Sequence, residues 1–149
     1  MSRLDRFLAF SSDVTAFTAF QLRGTGQAEA YMAAVTDVVG AQLVDDLLER
    51  HDGLPDGDRE QALRREIFSD ERLGPIARNI VKLWFVGTWY ELPAAWRETF
   101  GAHEHDVTFV VSAMAYTEGL LWPTIGGTPP GAKGPGYGSW AGPPRIPAI

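Results

Sequence analysis

The sequence predicts a mostly α-helical fold: a compact domain of about five helices over residues 1–126, followed by a long irregular arm over 127–149. Three observations predict it. Apolar residues recur at three- and four-residue spacing through 28–43 and again through 76–89. Alternating runs of β-forming residues are too sparse for a substantial sheet. And of the last 23 residues, 12 are Gly or Pro, a composition that supports neither helix nor central strand.

The elements follow in order. Ser2 can cap a first helix over 2–11, with Asp5 in its first turn and Leu4, Phe7 and Leu8 on one face. Ser11-Ser12-Asp13 interrupts the pattern. A second short turn spans 14–20, and Gly24 is placed to end it as a left-handed cap. The clearest helix runs from Thr25 to near Glu49, with Ala28, Tyr31, Met32, Val35, Val38, Val39 and Leu43 in phase. Gly40 inside it costs about 1 kcal/mol against Ala and marks a kink or a close crossing.

Residues 51–58 are rich in turn formers. A charged helix follows over 58–68, with Leu63 and Ile67 facing inward. Pro75 fits the first position of a central helix. Its residues Ile76, Ile80, Leu83, Trp84 and Gly87 line one face, and Val81, Phe85, Thr88 and Trp89 the next. A helix so apolar packs on most sides, and Gly87 implies close backbone approach. Residues 92–96 begin a link, 103–111 read as extended, and Ser112 caps a last helix over 113–122 that Pro123 ends.

Composition excludes several chemistries. With no cysteine, the chain by itself forms no disulfide, thiolate nucleophile or Cys-ligated metal centre. The net charge is −6, and the arm holds Lys133 and Arg145 but no acid, which leaves −8 on residues 1–126. No basic face for nucleic acid is apparent. The longest strongly apolar run, 83–90, is far short of the roughly 20 residues needed to span a bilayer. The first residues contain neither a signal peptide's apolar stretch nor paired arginines.

No catalytic constellation emerges. His103 and His105 share a face of an extended segment, but two ligands do not close a metal site. Gly134-Pro-Gly-Tyr-Gly138 is interrupted by Pro135 and opens no helix, unlike a phosphate cradle. Glu91 and Glu118 each lie beside aromatics. Either could be a buried acid, though a carboxylate paired with Arg78 or Lys82, or capping a turn, is the simpler reading. Trp84, Trp89 and Tyr90 have the spacing of core residues, yet Trp and Tyr are also favoured at partner interfaces. Five tryptophans exceed what this domain must bury, so two or three belong to the core and the rest face the arm or a partner. Tyr137 and Trp140 give the arm large apolar anchors. An extended arm of this kind orders by lying on a surface, either its own domain's or a partner's.

Several segments together carry a family resemblance. They are Phe7-Leu-Ala-Phe-Ser-Ser12; Gly24-Thr-Gly-Gln-Ala-Glu-Ala-Tyr31; Gly74-Pro-Ile-Ala-Arg-Asn-Ile-Val-Lys-Leu-Trp-Phe-Val-Gly-Thr-Trp-Tyr90 with Leu92-Pro93; Tyr116-Thr-Glu-Gly-Leu-Leu-Trp122; and Pro129-Pro-Gly-Ala-Lys-Gly-Pro-Gly-Tyr-Gly-Ser-Trp140. In this order the chain resembles the small (gamma) subunit of bacterial membrane-associated FAD-dependent sorbitol, sugar and alcohol dehydrogenases.

That resemblance implies a non-catalytic subunit holding no cofactor of its own. Its partner would be a large subunit of glucose-methanol-choline type that binds FAD and oxidises the substrate, and a cytochrome c subunit can join such complexes. The small subunit stabilises the large one and aids its maturation. The candidate interface residues are Trp84, Trp89, Tyr90, Tyr116, Trp122, Pro129, Pro130, Tyr137 and Trp140. The resemblance places the complex in the periplasm or at the membrane. A genuine lack of the twin-arginine signal common on this subunit places it in the cytoplasm instead. The rival expectation is a self-contained helical binding domain or enzyme, with the arm closing its own pocket and Glu91 or Glu118 lining it.

Overall fold

The computed structural model describes residues 1–127. Of the interface candidates, Pro129, Pro130, Tyr137 and Trp140 lie outside the described residues.

Helix α1 (Arg3–Thr15) starts at a capping box: Ser2 Oγ accepts the Asp5 N–H at 3.0 Å, and the Asp5 carboxylate accepts the Ser2 N–H. It runs through Ser11-Ser12-Asp13 rather than stopping there. The hydroxyls of Thr15 and Ser12 donate to the carbonyls of Ser11 and Phe17, so they do not compete with the helix. Helix α2 (Ala19–Gly24) has a second box, Thr18 with Gln21. The left-handed glycine expected at 24 is Gly26, with φ +73°, while Gly24 remains helical.

The long helix expected over 25–49 is two helices, α3 (Ala28–Val39) and α4 (Ala41–Asp52). Gly40 separates them with φ 90° and ψ 153°, a conformation open to glycine. The break lets Val35, Val38 and Val39 on one side and Val44, Leu47 and Leu48 on the other all reach the core. Helix α5 (Arg59–Leu63) continues as a π turn over Arg64–Phe68 that buries Ile67.

Helix α6 (Leu73–Val86) is the centre of the molecule, packing on α1, α3, α4 and the π turn. Asp70 Oδ1 accepts the N–H groups of Arg72 and Leu73 at its start. Gly74 is required there, because a Cβ would lie 2.5 Å from the Phe68 carbonyl oxygen. Trp84 is among the core's largest side chains, stacked on Phe7 and meeting Tyr31 edge-on at 4.9 Å.

Beyond α6 come β1 (Thr88–Trp89), α7 (Ala94–Phe100), β2 (Phe109–Val110), α8 (Ala113–Thr117) and α9 (Leu121–Ile125). β1 and β2 pair antiparallel, Thr88 opposite Val110 and Trp89 opposite Phe109. The single helix expected over 113–122 is divided between α8 and α9. Gly119 lies between them because a Cβ would sit 2.6 Å from the Phe85 carbonyl oxygen. Pro123 does not end a helix. It occupies the first turn of α9, where a missing N–H costs nothing.

Candidate interaction surface

The C-terminal elements are fastened to the end of α6 by backbone. The Val111 N–H donates to the Gly87 carbonyl at 2.9 Å, and the Leu120 N–H donates to the Trp84 carbonyl at 2.9 Å. These bonds satisfy carbonyls that a helix end otherwise leaves open. Gly87 makes the contact possible. Its φ is +67°, and a Cβ would fall 2.7 Å from the Ala115 backbone.

Side chains complete the attachment. Asp106 is 3% exposed and accepts the indole N–H of Trp89 at 2.9 Å and the backbone N–H of Leu92 at 3.0 Å. Asn79 donates to the Tyr90 carbonyl at 2.7 Å, and the Trp96 indole donates to the Arg72 carbonyl at 2.8 Å. Trp84 and Trp89 are consequently 1% and 0% exposed. This corrects their assignment to the interface: neither indole has surface to offer, because both are core. With Trp96 they make three buried tryptophans among the described residues.

Tyr116 and Trp122 behave differently. Their rings meet edge-on at 5.7 Å, and the Trp122 indole donates to the Tyr116 carbonyl at 2.9 Å. Tyr116 is 37% exposed and Trp122 half-buried. Ile125, 63% exposed, sits beside Trp122 where both approach Gly127. Met114 and Val110 are further exposed apolar side chains on α8 and β2, which pack together. Ala115 and Leu120 anchor this platform from below.

The sequence did not single out Val110, Met114 and Ile125. The available signal was brevity. Helices of five residues cannot bury apolar side chains on every side, so some must face out. A contiguous apolar surface is a marker of interaction sites.

Tyr90, 39% exposed, lies elsewhere, on a groove between Pro75 and Pro93. Two lobes of about 270 and 300 Å³ share those prolines. The Lys82 ammonium stands 5.1 Å from the Tyr90 ring centre. Glu91 is exposed and ion-paired with Arg97, not with Arg78 or Lys82 as the simpler reading supposed.

Glu118 is half-buried, and its charge adds to the effect of burial in pushing the Tyr31 hydroxyl above its ordinary pKa. His105 bonds Asp37 at 2.7 Å, whereas the His103 ring packs on Trp96. Among the described residues no three His, Asp or Glu side chains are placed to share a metal ion. No described helix is long and apolar enough to cross a membrane. A cleft of about 610 Å³ beside α4 is lined mostly by charges already engaged, as in the Arg72–Asp46 pair at 3.0 Å.

Comparison with known proteins yields no match to a family model, a curated sequence or a solved structure.

Proposed function

We propose that this chain is a non-catalytic small subunit that binds, stabilises and aids maturation of an FAD-dependent dehydrogenase large subunit of glucose-methanol-choline type. One observation carries the reading: the exposed Tyr116–Trp122–Ile125 platform lies where the Gly/Pro-rich arm begins. Platform and arm together offer aromatic anchors on a rigid base followed by a chain whose prolines limit the entropy lost on ordering. An obligate interface of this type buries more than about 2,000 Å². The sequence resemblance supplies the partner's class, with FAD in the partner and a cytochrome c subunit as a further member. The segments carrying the resemblance include Gly74, Gly87 and Gly119, the residues at which backbones pack too closely for a side chain.

Co-expression with a flavoprotein large subunit tests the role. The chain is expected to raise the yield of soluble, flavin-loaded large subunit, and removal of residues 127–149 to lose the complex. Equal recovery with the truncated chain would refute the arm's part in it.

A second reading, a self-contained small-molecule domain, draws on Glu91 at the rim of the Pro75–Pro93 groove. It requires the isolated chain to be a stable monomer that binds or turns over a small polyol. Size-exclusion chromatography with light scattering, followed by polyol calorimetry, separates the two.

A further inference from the structure

Among the described residues the arginines are almost all paired. Nine arginines among the described residues have a carboxylate within 4.0 Å. Arg78 and Lys82 have none among those residues. They lie one helical turn apart on the exposed side of α6, and both line the Pro75–Pro93 groove. In a body carrying −8, two uncompensated cations in one concavity are a local exception that attracts anions.

The groove's shape narrows the ligand. Its two lobes run past both prolines from Lys82 and Tyr90 to Trp96 and Phe100. Phe100 is 36% exposed, and its ring packs on Trp96 at 5.3 Å. An elongated channel walled by rings and prolines suits an extended, proline-tolerant chain better than a compact solute. Arg78 also donates to the Phe68 carbonyl at 3.1 Å, which holds its guanidinium at the groove.

We propose that this groove docks an extended acidic segment of a partner polypeptide, its carboxylates received by Arg78 and Lys82 and an apolar residue seated against Phe100 and Trp96. Of the acids lining the groove, Glu91 is neutralised by Arg97 and Glu71 lies in the other lobe, away from Lys82, while the acidic remainder of the surface repels such a segment. The inference deepens the subunit role and rests on it only for who supplies the segment.

The full chain is titrated into a fluorescein-labelled peptide, Pro-Glu-Pro-Glu-Leu-Pro, at low salt, and anisotropy is read. Binding is expected near 10⁻⁴ M, about tenfold weaker with Gln replacing both Glu, and falling as salt rises. Lys82→Glu is expected to weaken it about tenfold, and Arg64→Ala, remote from the groove, to leave it unchanged. The exposed Lys82 side chain donates no hydrogen bond to the backbone among the described residues, so its replacement tests binding without unsettling α6, and circular dichroism verifies this. Equal affinity for the Gln peptide, no effect of Lys82→Glu, no binding at about 1 mM, or displacement by free succinate at matched carboxylate concentration would each overturn the proposal. The peptide measurement uses this chain alone. A failure here therefore stands apart from a failure to capture the flavoprotein, which would tell against the subunit role instead.

Discussion

The Asp106 carboxylate accepts the indole N–H of Trp89 at 2.9 Å across 17 residues of chain. The same group accepts the Leu92 N–H, so one buried acid holds the β1 strand, the following turn and the 101–108 loop together. The apolar platform of Tyr116 and Trp122 follows directly on the unit that this acid closes.

Asp106→Ala leaves two buried donors unmet and is expected to cost about 2–4 kcal/mol. Asp106→Asn keeps one acceptor oxygen and should cost about half as much. Urea unfolding followed by far-UV circular dichroism measures both. Equal stability of the alanine variant would show that Trp89 is held by packing alone.

Gly87→Ala meets two obstacles: a left-handed backbone and an Ala115 backbone 2.7 Å from the new Cβ. The expected loss exceeds about 2 kcal/mol. Gly24→Ala is the contrast, since its Cβ meets nothing within 4 Å and Gly24 is helical. It should be neutral or stabilise by about 0.5–1 kcal/mol. Thermal melts of the pair read the difference directly.

Much of this architecture is legible in the sequence, and the misses have physical causes. The core face of α6, the Ser2 cap and the close approach at Gly87 all follow from spacing and residue type. At Gly40 the sequence marks a kink or a close crossing but not a full break, because hydrophobic periodicity continues through it. Only the need of both α3 and α4 to reach one core makes the glycine a joint. The α8–α9 break is equally hidden, since the obstacle to a side chain at Gly119 is the Phe85 carbonyl, remote in sequence. Trp89 reads as a surface candidate until Asp106 supplies a partner for its N–H. Glu91 finds Arg97 six residues on, across the turn into α7, a contact that helix spacing cannot foresee. Tyr116 and Trp122 enter as interface candidates with the family resemblance, and the fold leaves Tyr116 exposed and Trp122 half-buried. Their neighbours Val110, Met114 and Ile125 become visible only when the fold leaves them uncovered.

Two carboxylates tie stability to pH. Burial raises the Asp13 pKa, but hydrogen bonds from Arg59 and His51 and their charges outweigh it, so the net shift is below 3.8. Asp70 is shifted the same way: burial opposes, while the Leu73 and Arg72 N–H groups and Arg50 prevail. A depressed folded-state pKa contributes stability above the unfolded value, and that contribution disappears as pH falls through the folded one. Stability should therefore decline below about pH 4. The Asp13→Asn, Asp70→Asn double variant should be weaker at pH 7, with the gap closing toward pH 2. A gap constant across that range in urea titrations would contradict the assignment.

Tyr31 is 1% exposed, and its hydroxyl makes no hydrogen bond among the described residues. Tyr31→Phe removes a desolvated polar group while keeping the ring against Trp84. Stability is expected to stay level or rise by up to about 1 kcal/mol. A loss larger than that in calorimetric melts would reveal a polar role for the hydroxyl.

Whether the platform grips a foreign protein is tested most directly by native mass spectrometry of the chain purified with a co-expressed FAD-dependent large subunit. A one-to-one complex retaining flavin is expected for the unaltered chain, and at least a tenfold drop for Tyr116→Ala, Trp122→Ala, with far-UV circular dichroism checking that the variant stays folded. A lone, well-folded monomer from the unaltered chain, or undiminished complex from the double variant, would contradict it.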